Sequence, residues 1–117
     1  MSDTLITVVE TTLFTRNADK ILTTEEKDDL IKFLAANPSE GEEIVGTGGV
    51  RKVRFASHGK GKSGGVRVIY YYYDDTMPLF ALLIYGKGEQ ANLTPDQKRV
   101  VTTMAATLKA LGKRKNK

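Results

Sequence analysis

Val50-Arg51-Lys52-Val53-Arg54-Phe55-Ala56 and Val66-Arg67-Val68-Ile69-Tyr70-Tyr71-Tyr72-Tyr73 are two runs of mainly β-branched, aromatic and basic residues, separated by the glycine- and lysine-rich residues 57–65. Such runs read as strands, and a direct connection makes them antiparallel neighbours. A third run, residues 79–85, follows the compact turn signal Asp74-Asp75-Thr76-Met77-Pro78 and extends the pair into a three-stranded meander. Side chains alternate across a strand, so Lys52 and Arg54 point away from Val53 and Phe55, and Arg67 shares its parity with Ile69, Tyr71 and Tyr73. One face of the meander is therefore a candidate working surface. Whether its cations converge depends on the register between strands, which a single sequence does not fix.

That surface is made for polyanions. Residues 46–73 contain no acid, yet include Arg51, Lys52, Arg54, Lys60, Lys62 and Arg67. By halves, residues 1–45 hold ten acids against four bases, and residues 46–117 hold four acids against fourteen bases, so −6 and +10 underlie the net +4. Polarisation of this kind speaks to partners, and nucleic acid is the anion it fits best.

Upstream, Leu5-Ile6-Thr7-Val8-Val9 reads as a first strand, and residues 13–20 as a short helix. Thr23-Thr24-Glu25-Glu26 is a capping box, in which hydroxyl and carboxylate satisfy each other's backbone donors; Leu30, Ile31 and Leu34 follow at helical spacing, and Asn37-Pro38 stops the helix. The two helices make a hairpin, followed by a linker over residues 40–49. Downstream, Thr94-Pro95-Asp96-Gln97 opens another helix with an N-cap, a proline at the first position and a glutamine at the third. Its apolar stripe is Val100, Val101, Met104, Leu108 and Leu111; Gly112 is placed to cap the C-terminus, leaving a frayed basic tail over residues 113–117. The expected architecture is a single α+β domain over residues 1–112.

Composition narrows the chemistry. With 117 residues, one core suffices without staples, and with no cysteine and a lone His58, disulfides and thiolate metal sites are excluded. No run is long enough to span a bilayer, and residues 5–9 are too short for a signal peptide, so a cytoplasmic protein is expected. Residues 56–63 loosely match a phosphate loop, but Gly64-Gly65 leads into a strand instead of a helix, so nucleotide binding is not expected. Most of the Tyr70–73 rings are expected in the core, and Asp28-Asp29 and Asp74-Asp75 read as solvated surface, because adjacent side chains point apart. Neither metal nor cofactor is implied.

Three motifs carry a resemblance: Gly48-Gly49-Val50-Arg51-Lys52-Val53-Arg54, Gly65-Val66-Arg67-Val68-Ile69-Tyr70-Tyr71 and Leu83-Ile84-Tyr85-Gly86-Lys87-Gly88-Glu89. Together they resemble the RelE/HigB family of toxins from bacterial type II toxin–antitoxin pairs, with the closest likeness to HigB-type members that carry a glycine- and lysine-rich loop. The order of elements over the whole chain is similar too. The resemblance implies a RelE-like fold, an antiparallel sheet with an N-terminal helical hairpin and a C-terminal helix. It implies a metal-independent, ribosome-dependent endoribonuclease that cuts mRNA in the decoding site and thereby inhibits translation. It also implies a cognate antitoxin, often with a helix-turn-helix domain through which alone the protein would reach operator DNA.

Carried over position by position, the family's basic cluster falls on Lys52, Arg54 and Arg67, with Lys87 at the end of the last strand; Arg51, Lys60, Lys62 and Tyr85 are expected to bind RNA. The chemistry is intelligible by itself. RNA carries its own nucleophile, the 2′-OH, so a protein need only align it, stabilise the phosphorane charge and move protons. Crowded cations disfavour one another's charge, which suits Lys52 or Lys87 to proton transfer. The chain departs from the family where many relatives place a tyrosine or histidine soon after the final strand, since residues 88–97 contain neither. That departure leaves open reduced activity, a base drawn from Tyr85 or Lys87, or reliance on substrate geometry alone; the alternative function is a non-catalytic RNA- or ribosome-binding module, or an inactive relative that binds only the antitoxin.

Overall fold

The computed structural model describes residues 5–56, 65–86 and 88–115. In chain order the elements are β1 (Val8–Glu10), α1 (Thr12–Ile21), α2 (Thr24–Ala36), β2 (Glu42–Glu43), β3 (Val50–Phe55), β4 (Val66–Tyr71), β5 (Leu79–Gly86) and α3 (Pro95–Lys115). The sheet order is β1-β5-β4-β3-β2. The meander β3-β4-β5 is antiparallel, as its short connections demand, and β2 extends it antiparallel at one edge. At the other edge β1 lies parallel to β5, with Val8 opposite Leu79 and Glu10 opposite Ala81. The helical hairpin carries the chain from β1 at one edge across a sheet face to β2 at the other.

Helices cover both faces. Phe14 and Ala18 of α1 and Leu30 and Leu34 of α2 are fully buried in a core with Val53, Val66, Val68, Tyr70, Leu79, Ala81 and Ile84. On the opposite face Val101 and Ala105 of α3 pack with Val50, Ile69, Tyr71, Leu82, Leu83 and Tyr85. Strand parity thus sorts the tyrosines: Tyr70 and Tyr72 join the hairpin side, Tyr71 and Tyr73 the α3 side. Parity is interrupted once. Ile69 pairs with Leu83 but Tyr70 with Ala81, so Leu82 is an extra residue in β5, and Leu82 and Leu83 both serve the α3-side core.

Caps form where the sequence places them. Glu26 N–H donates to Thr23 Oγ1 at 3.1 Å while Thr23 N–H donates to Glu26 Oε1 at 2.8 Å. Thr94 and Gln97 do the same at α3, at 3.1 and 2.9 Å. At α1 the cap is Thr11, whose Oγ1 accepts from Phe14 N–H at 3.2 Å and donates to Ala81 O at 2.9 Å, tying the helix start to β5.

The expected linker over residues 40–49 contains the short strand β2, and three boundaries differ by two residues or more from the sequence-based reading. The first strand covers residues 8–10 instead of 5–9, because only these pair with β5. β4 stops at Tyr71, where its partners Val50 and Phe80 end the ladders. Gly112 does not cap α3, which continues to Lys115 and takes in the start of the expected tail. A Cβ at Gly112 would lie 2.6 Å from Tyr73 Cδ2 and 2.7 Å from Met77 Sδ, so this glycine permits a close approach.

Candidate nucleic-acid interface

Register brings the predicted cations together. Arg54 pairs with Arg67 across β3–β4, and Arg67 pairs with Tyr85 across β4–β5, so these three side chains form one transverse row. Directly paired residues face the same side, with Cα atoms roughly 4.5–5.5 Å apart. Lys52, two positions before Arg54, occupies the same face in the next row, opposite Ile69 and Leu83. This is the face on which α3 packs.

The pairing of Arg54 with Arg67 puts two positively charged side chains on neighbouring strands of one face. Arg54 is exposed and Arg67 half-buried. Among the described residues neither Lys52 nor Arg54 takes part in an ion pair. An anion placed between these cations would be held by charge-assisted hydrogen bonding.

The loop before α3 contacts this row through Lys52, a contact that no local sequence signal marks. Lys52 Nζ donates to Asn92 Oδ1 at 3.4 Å. Asn92 O accepts from Gln90 Nε2 at 2.8 Å, and Gln90 Nε2 also donates to Gln97 Oε1 at 2.7 Å. Gln97 is the capping residue of α3. A polar chain thus runs from the helix cap to the lysine. The Thr94–Gln97 cap was the visible end of this chain; the amide contacts beyond it depend on how the loop folds back. Glu89 Oε1 accepts from Gly86 N–H at 2.7 Å and closes the turn after β5.

Two predicted residues are placed elsewhere. Arg51 has the opposite parity, and its guanidinium donates to Gly41 O at 2.5 Å and Ser39 O at 3.3 Å, with Glu43 Oε2 at 3.9 Å. It ties β3 to the segment before β2 and does not join the cation row. Tyr85 belongs to the row by register, but its ring is 2 % exposed and packs in the core, so it offers no stacking platform. Its hydroxyl has no hydrogen-bond partner; burial pushes the phenol up, with Arg67 opposing, so it stays protonated at neutral pH and does not serve as a base. Lys60, Lys62 and Lys87, with His58, lie outside the described residues. Among the described residues no group of three or more His, Cys, Asp or Glu side chains is assembled to hold a metal ion. No helix among them is long and apolar enough to cross a membrane.

Fold and register together define a small α+β protein with helices on both sheet faces and a row of cations on its meander. Comparison with known proteins makes the class specific. The family described as "RelE toxin of RelE / RelB toxin-antitoxin system" matches residues 7–116, and the chain belongs to that family. Among solved structures it is similar to a double arginine-to-alanine mutant of the E. coli toxin RelE in the free state, at 14 % identity and a TM-score of 0.52, over 74 % of this chain and 87 % of that one. At that identity the likeness concerns the fold. Family membership implies an antitoxin as partner.

Proposed function

We propose that this protein is a ribosome-dependent mRNA endoribonuclease that arrests translation from the cytoplasm, is silenced by its antitoxin, and reaches the ribosome when released. The observation that carries this reading is the Arg54–Arg67 pair, with Lys52 in the adjoining row of the same face. Placed around a scissile phosphate, these cations stabilise the charge that grows when the 2′-OH attacks, and hold the RNA so that the 2′ oxygen and leaving 5′ oxygen are in line. Lys52, oriented by Asn92, protonates the leaving oxygen. Lys87 is assigned the 2′-OH proton, since Tyr85 is buried and protonated. The products are a 2′,3′-cyclic phosphate, or a 3′-phosphate after its hydrolysis, and a 5′-hydroxyl end.

Induction without antitoxin is expected to stop growth, and mapping of mRNA 5′ ends is expected to reveal new cuts within codons. Arg67→Ala should lower cleavage by roughly 10²-fold or more, the scale of losing one charge-stabilising donor, while the far-ultraviolet spectrum stays unchanged. Full toxicity in that variant would remove Arg67 from the mechanism. The second reading, a binder that blocks translation without cutting, is favoured by the lack of tyrosine or histidine in residues 88–97. Translation arrest with intact messages would establish it in place of the first.

A further inference from the structure

A second cationic feature lies along α3. Two adjoining cavities of about 270 and 370 Å³, which share Thr102, form a furrow between α3 and the turn that contains Gly46, Thr47 and Gly48. Lys98, Lys109 and Lys113 line it on the helix side. At 100° per residue these three and Thr102 fall within a stripe about 60° wide, and Lys98 and Lys113 are separated by about 22 Å of helix. The ammonium groups of Lys98 and Lys109 lie 3.4 and 3.8 Å from the points a Cβ on Gly46 and Gly48 would occupy, so the glycines leave room for the cations at the furrow wall. That wall is fixed. Thr47 is buried, donating to Ile44 O at 2.7 Å and accepting from Val50 N–H at 3.1 Å, and Gly46, Gly48 and Gly49 hold the positive φ the turn needs.

No acidic side chain lines either cavity, and Lys98, Lys109 and Lys113 enter no ion pair among the described residues. Arg99 also lines the furrow but is paired with Asp96. The apolar lining is limited to Pro95, Ala106 and Ala110, so there is no deep pocket of the kind a protein partner's anchor residue fills. A phosphodiester backbone needs no such pocket, only spaced cations. The furrow's Pro95–Lys98 end also lies close along the chain to Asn92, which touches Lys52.

We propose that this furrow is a second RNA-backbone track, holding the strand that runs from the cation row along α3. The choice of RNA rests on the function proposed above; the track itself rests on the furrow's charge and shape. It is tested by anisotropy of a short fluorescent oligouridylate titrated with protein at several salt concentrations, in the absence of ribosomes so that the RNA stays intact. Each single-strand phosphate contact contributes about 0.7 to the slope of log K against log salt, so Lys98→Ala/Lys109→Ala/Lys113→Ala should lower that slope by about 2 and weaken low-salt binding at least ~10-fold. The triple arginine variant at the same positions should keep both. An unchanged slope in the alanine variant, loss of binding in the arginine variant, or absence of RNA binding by the parent would overturn the proposal. So would oligoglutamate that binds through these lysines more tightly than RNA, which would assign the furrow to an acidic protein. Failure of the nuclease reading registers separately, as uncut messages in cells.

Discussion

Tyr85 lies opposite Arg67 across β4–β5. Its position in the row with Arg67 invites a catalytic reading, yet its hydroxyl is buried without a partner and its ring is part of the core. An unsatisfied buried hydroxyl costs roughly 1–3 kcal/mol, so Tyr85→Phe is expected to be at least as stable as the parent, with a gain of about 1 kcal/mol in urea unfolding. Cleavage should stay within a few-fold. A large loss of cleavage with stability intact would show that the phenol takes part in the chemistry. Parity gives each of Lys52, Arg54 and Arg67 a face within its own strand, but that the faces coincide follows only from the β3–β4 register. The surroundings of Arg51 and Tyr85 were not legible in the sequence: Arg51 is fixed by the carbonyls of Ser39 and Gly41, and Tyr85 by how deeply α3 settles over it. Both depend on contacts distant in sequence.

Elements were readable where local chemistry marks them. The capping pairs Thr23–Glu26 and Thr94–Gln97 and the meander strands formed as their residue types dictate. The two-residue β2 and the extra residue in β5 carry no local signature; one is an acid pair that joins an edge, the other a leucine among leucines. Gly112 shows how a local signal misleads. Glycine near a basic helix end normally marks a C-cap, but here it clears space for Tyr73 and Met77 within a continuing helix. Gly112→Ala would gain about 1 kcal/mol in helix propensity, whereas overpacking against a ring typically costs 1–3 kcal/mol. A net destabilisation of about 1 kcal/mol is therefore expected in thermal or urea unfolding. Equal stability would mean that Tyr73 and Met77 move aside at little cost.

At the scale of the whole molecule, the charge asymmetry of the sequence becomes a division between the two sides of the sheet. Acidic Glu25, Glu26, Asp28 and Asp29 ride on α2 over one face, while Lys98, Lys109 and Lys113 ride on α3 over the other. Stability answers to a different set of groups. Burial holds the phenols of Tyr70, Tyr71 and Tyr85 above their ordinary value, and pushes Tyr72 up to about 12 with help from its hydrogen bond to Asp75. Lys27 is raised as well, chiefly by its hydrogen bond to Glu10, 2.9 Å away. The sign is the same for all five. Above about pH 10 the unfolded chain gives up these protons while the folded chain keeps them, so the unfolded state binds fewer protons and stability falls with rising pH. Their contribution is whole below about pH 10 and is lost progressively toward the Tyr72 value of about 12. The urea midpoint is expected to be unaffected by these groups between pH 7 and 9 and to drop steeply above about pH 10, as the phenolate absorption of the unfolded state emerges. Tyr72→Phe should make that alkaline drop shallower without altering its onset, because the other tyrosines and Lys27 still titrate. A midpoint that holds through pH 11 would mean that these phenols ionise as readily in the folded protein as in the open chain.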